Sequence, residues 1–192
     1  MMSGSSAQLY EVDFVRWTEE QAAALREAAK LGTNLPLDWE NLAEEIDSLG
    51  RSQRRELRSR ITTIIEHLIK LECSPASEPR RGWMETIARE RMEIELLLDD
   101  SPSLKAETAG MVAAQMPRAI RSITRTVRLY DEAIPEVTGK IAALNFTGDQ
   151  VLGDWFPGDG PSPQPSPRDP RVKPGEGEGG TRGSPDPVRG GG

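Results

Sequence analysis

The chain is poor in the residues that most often carry chemistry. It has one cysteine and one histidine in 192 residues, and aromatic side chains make up 5%. A lone cysteine, Cys73, excludes an intrachain disulfide. No apolar run approaches the ~20 residues of a membrane-spanning helix, so no membrane partner is expected. The opening MMSGSSAQLYEVD has neither a basic nor an apolar segment and does not read as a secretory signal. Together these absences predict a soluble protein of a reducing cytoplasm. No glycine-rich phosphate loop, zinc-ligand spacing or nucleophile elbow occurs, and no cofactor is expected. No stretch alternates apolar with polar residues as a half-buried strand would, so no sheet is predicted.

Apolar residues are also scarce, at 36%, and part of the shortfall sits in one place. From Pro157 onward Pro, Gly and Ser recur with almost nothing apolar between them. Residues 158–192 therefore read as a disordered tail. Within it Arg168, Arg171, Lys173, Arg182 and Arg189 balance Asp159, Asp169, Glu176, Glu178 and Asp186. The net charge of −7 thus belongs to the remainder, and so acidic a domain is not expected to bind nucleic acid.

What the chain does have is helical periodicity. Asp13 can cap a first helix striped by Phe14, Trp17, Gln21, Ala24, Leu25, Ala28 and Leu31; Thr18 with Gln21 offers a later start. Asp38 caps a long second helix reaching Cys73, with Leu42, Ile46, Leu49, Leu57, Ile61, Ile64, Leu68 and Leu71 on one side. Gly50 is its weak point, because an interior glycine costs roughly 1 kcal/mol relative to alanine; a kink, a short break with Ser52 as a fresh cap, and a continuous run are all open there. A third helix spans about Gly82 to Asp99 with Trp83, Ile87, Ile94 and Leu98 inside. Ser101 followed by Pro102 opens a fourth, reaching about Tyr130 and kinked at Pro117. Thr147 and Gln150 form a capping box that lays Val151, Leu152, Trp155 and Phe156 on the rest. The predicted class is all-α: an antiparallel bundle of about four main helices, a short C-terminal helix and the tail. Residues 9–157 form the helical domain, with 13–50 as an N-terminal hairpin and 51–157 as the bundle.

The blocks Tyr10–Asp13–Phe14–Trp17, WENLAEEIDSLGRSQRREL, His67–Leu68–Ile69–Lys70, Trp83 with Ile87 and Arg89, LLLDDSPSLK, Pro117–Arg118–Ala119 and the closing DWFP resemble a bacterial family. It is the family called domain of unknown function twenty-nine, and the likeness covers roughly Leu9 to Pro157. The resemblance implies a small all-helical fold with no established activity, cofactor or substrate.

Four constellations are candidates for chemistry. Glu40, Glu44 and Asp47 share one face of the second helix, but His67 follows Glu66 directly. A Glu-x-x-His pair, the helical di-metal signature, is therefore missing, and no metal is expected. His67 borders the apolar stripe, and a pocket using it with Trp83 and a carboxylate such as Glu90 is the enzymatic or ligand-binding alternative. Cys73 falls on a different face from His67. Arg118, Arg121, Arg125 and Arg128 make a basic row on the fourth helix, and Arg51, Arg54, Arg55 and Arg58 a second cluster. Pairing with Glu44, Asp47, Glu85 and Glu93, within one copy or across two, is their expected role. Trp39 is expected either in the core or on a partner surface.

The expected function is a non-enzymatic protein-interaction module using Trp39, Glu40, Glu44, Asp47, Arg51, Arg55, Arg118, Arg121 and Arg125. Its partner would be another protein or a second copy in a weak homodimer.

Overall fold

A computed structural model describes residues 3–32, 35–74, 76–129 and 135–158. Among these residues helices are joined by short connections and there is no strand. In order come α1 (Ser3–Val12), α2 (Phe14–Lys30), α3 (Trp39–Cys73), α4 (Arg80–Asp100), a 3₁₀ helix (Pro102–Glu107), α5 (Thr108–Leu129), α6 (Pro135–Ala143) and α7 (Gly148–Leu152). The tail expected over 158–192 lies, from Asp159 on, outside the described residues, as does Tyr130.

The axis is α3, unbroken for 35 residues and packed against α2, α4 and α5. Asp38 starts it by accepting from the Asn41 N–H at 3.2 Å. Its C-terminal half carries Leu57, Ile61, Ile64, Ile65, Leu68 and Ile69, all fully buried. These residues cover more than one side of the helix because neighbours close around it. Ile87 and Ile94 of α4, Val112, Met116 and Ile123 of α5, and Val151 of α7 complete the core.

The N-terminal limb of α3 packs by a different rule. Its large side chains do not point inward: Leu42 is 41% exposed and Leu49 is 45% exposed. Ala43 and Gly50 are the buried residues instead. Small side chains let the α2 backbone come close, and Gly50 lies directly against Thr18 and near the Val15 carbonyl. That contact gives the glycine a task within a helix that continues past it, which settles the alternatives the sequence left open. In α2 the buried positions are Val15, Thr18 and Ala22, a face offset from the expected stripe. Phe14 and Trp17 join Tyr10 in a small aromatic cluster, with the Tyr10 and Trp17 rings 4.8 Å apart. Leu31 is 82% exposed.

Asp13 caps α2, and the later start at Thr18 is not used; the Thr18 hydroxyl donates to the Val15 carbonyl at 2.7 Å. Asp13 is buried because it does more than cap. Its Oδ1 accepts from the Arg16 N–H at 3.0 Å and from Ser103 Oγ at 2.9 Å, and its Oδ2 accepts from the Ser103 N–H at 2.7 Å. Ser101 was expected to cap its own helix. Its hydroxyl instead accepts from the Val15 N–H at 3.3 Å, so it serves the start of α2. The expected single fourth helix is accordingly a 3₁₀ segment with proline at its start, followed by α5. The capping box at Thr147 and Gln150 forms as expected.

Candidate functional site

The charged residues of α3 sort into groups with different partners. Glu44 pairs with Arg51 and, at 3.8 Å, with Arg26; Asp47 pairs with Arg51 at 2.7 Å and Arg26 at 3.3 Å. The acidic limb is thus answered by its own helix and by α2. Glu40 is exposed beside it, and Trp39 is half-buried with an indole N–H that meets no acceptor. Arg54 bridges Glu19 of α2 at 2.6 Å and Glu107 at 3.0 Å. The hydrogen bond to Glu107 is the main reason its pKa is raised. Arg60 reaches Glu56, Glu90 and Glu93 at 2.7, 3.0 and 3.2 Å. Burial disfavours its charge, but the bonds to Glu56 and Glu90 outweigh burial and raise its pKa.

These pairs dismantle the expected pocket. Glu90 is held by Arg60, with Arg89 a further 3.7 Å contact. His67 Nδ1 donates to the Thr63 carbonyl at 2.8 Å, one turn back on its own helix. Burial lowers the His67 pKa, so the ring is neutral near pH 7. Trp83 packs against the core as a half-buried residue. The three residues named for a pocket are each engaged elsewhere, and no histidine–carboxylate hydrogen bond forms between His67 and Glu90. Burial likewise raises the Cys73 pKa and keeps its thiol protonated. Among the described residues no three His, Cys, Asp or Glu side chains gather to hold a metal. No described helix is long and apolar enough to cross a membrane.

The arginines of α5 behave differently. Arg118, Arg121 and Arg125 are exposed, as is Arg128, and none bonds to another described residue. Their expected partners are taken: Glu85 pairs with Arg81 at 2.9 Å, and Glu93 with Arg60. On the same side of α3, earlier along the helix than the level of Arg118, lie Arg55 and Arg58. Arg58 Nε donates to the Arg54 carbonyl at 3.2 Å and Arg55 touches Ser52 Oγ at 3.4 Å, so neither has a carboxylate. Between the two helices lies a cleft of about 550 Å³ that these three arginines line. Gln115 lines it too, although it is only 7% exposed. Periodicity alone did not single out Gln115. The signal for it is a polar residue in the apolar phase of α5, four after Met111 and three after Val112.

Arg91 was also missed. It is half-buried and donates to the carbonyls of Gln150, Val151 and Trp155 at 2.8, 3.0 and 2.8 Å, with the Phe156 ring 4.9 Å away. Desolvation lowers its pKa, yet its donors end on two of the last carbonyls of α7 and on that of Trp155 beyond it, which gives it a structural task.

The molecule is therefore an all-α protein built on one long helix, with a row of unanswered arginines on a neighbouring helix. More particularly, it belongs to the family described as Domain of unknown function DUF29, whose model matches residues 9–156. Among solved structures it is similar to an alpha-helical protein of unknown function from Rhodospirillum rubrum. The two are 26% identical with a TM-score of 0.59, over 77% of this chain and 90% of that one. No curated protein matches the chain.

Proposed function

We propose that the protein is a non-enzymatic interaction module that holds an acidic segment of a partner protein along α5. The observation that carries this reading is the row Arg118, Arg121 and Arg125. It is exposed and unpaired in a chain whose net charge is −7, while Arg26, Arg51, Arg54 and Arg60 all have carboxylate partners. Like charges at spacings of three and four repel one another on a helix by a few tenths of a kcal/mol per pair. A basic row with no internal acid therefore gains most from an external one. The acid–base face of α3 is a weaker candidate for self-association, because Glu44, Asp47 and Arg51 already satisfy each other. We take the cytoplasm as the compartment, since a half-buried lone thiol asks for no oxidising one.

Exposed ion pairs contribute about 0.2–1 kcal/mol each, so the interaction should be weak, fast and sensitive to salt. The test is fluorescence anisotropy with a glutamate-rich helical peptide. Binding should fall steeply as ionic strength rises and vanish in an Arg118→Glu, Arg121→Glu, Arg125→Glu triple variant with unchanged melting temperature. Equal binding by the triple variant would overturn the reading.

A further inference from the structure

The cleft between α3 and α5 has a donor set that the docking row alone does not require. We infer that it is a phosphoryl-binding site, taking the dianionic group of a phosphomonoester. It adjoins the α5 row and shares Arg118 with it, so the inference rests on the docking reading and names the group that a partner or a small ligand would present.

Three observations converge on the same space. Arg55, Arg58 and Arg118 line the cleft without a carboxylate partner, which leaves most of their N–H groups free. Arginine is suited to such a ligand because its planar fork can give two parallel hydrogen bonds to a phosphate. Gln115 is 93% buried by the complement of its 7% exposure, and it opens on the cleft. The Thr62 hydroxyl donates to the Arg58 carbonyl at 2.8 Å and lies 3.4 Å from Gln115 Oε1. The amide N–H pair of Gln115 consequently has no protein acceptor, and even with the amide turned over one N–H would remain without one. The amide opens to solvent within the cleft, so a ligand there can accept from it in place of water. The Ser59 hydroxyl, at the rim, is also unengaged.

The one acid on the cleft is Glu66. It lies eight residues beyond Arg58 and eleven beyond Arg55 on α3, roughly 12 and 16 Å along the axis at 1.5 Å per residue. The end with Arg55 and Arg58 therefore keeps its positive potential, whereas Arg118 stands at the Glu66 end of the cleft. A volume of about 550 Å³ is suited to a small organic phosphate or a phosphorylated side chain with its flanking backbone.

The test is titration calorimetry on the full chain at low ionic strength, with inorganic phosphate, a phosphoserine-containing acidic peptide and its unphosphorylated twin. Saturable one-to-one phosphate binding is expected. It should weaken about tenfold or more in Arg58→Ala, as loss of a charged hydrogen bond predicts. It should weaken also in Gln115→Leu and Ser59→Ala, and persist in Arg81→Ala, an exposed arginine outside both the cleft and the α5 row. A gain from peptide phosphorylation that Arg58→Ala removes would assign the group to a partner. Phosphate bound more tightly than either peptide would assign it to a free small ligand. Absence of saturation with phosphate and phosphopeptide alike overturns the site. So does equal weakening in Arg58→Ala and Arg81→Ala, which would mean diffuse attraction. Phosphate binding kept by a protein that ignores the acidic peptide would overturn the docking reading and leave the cleft standing.

Discussion

Gly50 shows how a residue can read one way from its own helix and another way from its neighbour. Propensity alone makes alanine better there by roughly 1 kcal/mol. In the folded chain a methyl group would drive into the Thr18 hydroxyl. Gly50→Ala is therefore expected to lower the urea midpoint, and adding Thr18→Ala should recover much of the loss; stabilisation by the single change would mean that the two helices can part freely. The sequence could not show this, because Thr18 belongs to another element and periodicity carries no information across elements. His67 makes the complementary point about charge. Burial lowers its folded pKa, so below about pH 6.5 the unfolded chain takes up a proton that the folded one resists. Its contribution is complete above that pH and is lost as pH falls towards the lowered folded value. Urea titrations from pH 7.5 to 5 should show a stability loss that is shallower in His67→Asn, a side chain able to keep the bond to the Thr63 carbonyl. An identical slope in both proteins would show that His67 titrates alike folded and unfolded.

Among the elements, α3 was the most legible and also the most misleading. Its N-cap, its end and its C-terminal stripe follow from Asp38, Ser74 and the run Leu57 to Leu71. Ile64→Ala and Leu68→Ala are each expected to cost about 2–5 kcal/mol in chemical denaturation, since both side chains are fully buried among three helices. Costs below half a kilocalorie at both would refute the packing described. The N-terminal stripe failed for a physical reason. Helical spacing groups Leu42, Ile46 and Leu49, but α2 approaches the neighbouring face of small residues. Meanwhile α4 ends at Asp100, level with Gln53 and a turn short of Leu49. Two short helices left little trace in the sequence. Ser and Gly open α1, and Thr138 and Gly139 weaken α6, so neither shows a stripe strong enough to announce itself.

The bundle as a whole was legible because caps, breakers and apolar period agree along most of the chain. The cleft was not, because its donors come from α3 and α5, and only the fold brings Arg58, Gln115 and Arg118 together. The run from Gly158 onward has almost no apolar side chains with which to offset ordering entropy. Deleting 158–192 should leave the melting temperature unchanged in scanning calorimetry, and a fall of several degrees would show that it docks. The contacts of Asp13 with Ser103, ninety residues apart, also set an order of events. A ribosome adding 5–20 residues per second needs roughly 5–18 s to travel from one to the other. Until then the start of α2 lacks the hydroxyl and amide that complete its seat. The chain makes α2 before α4, yet it can fasten the start of α2 only after α4 has been made, so of the two the earlier element is secured the later.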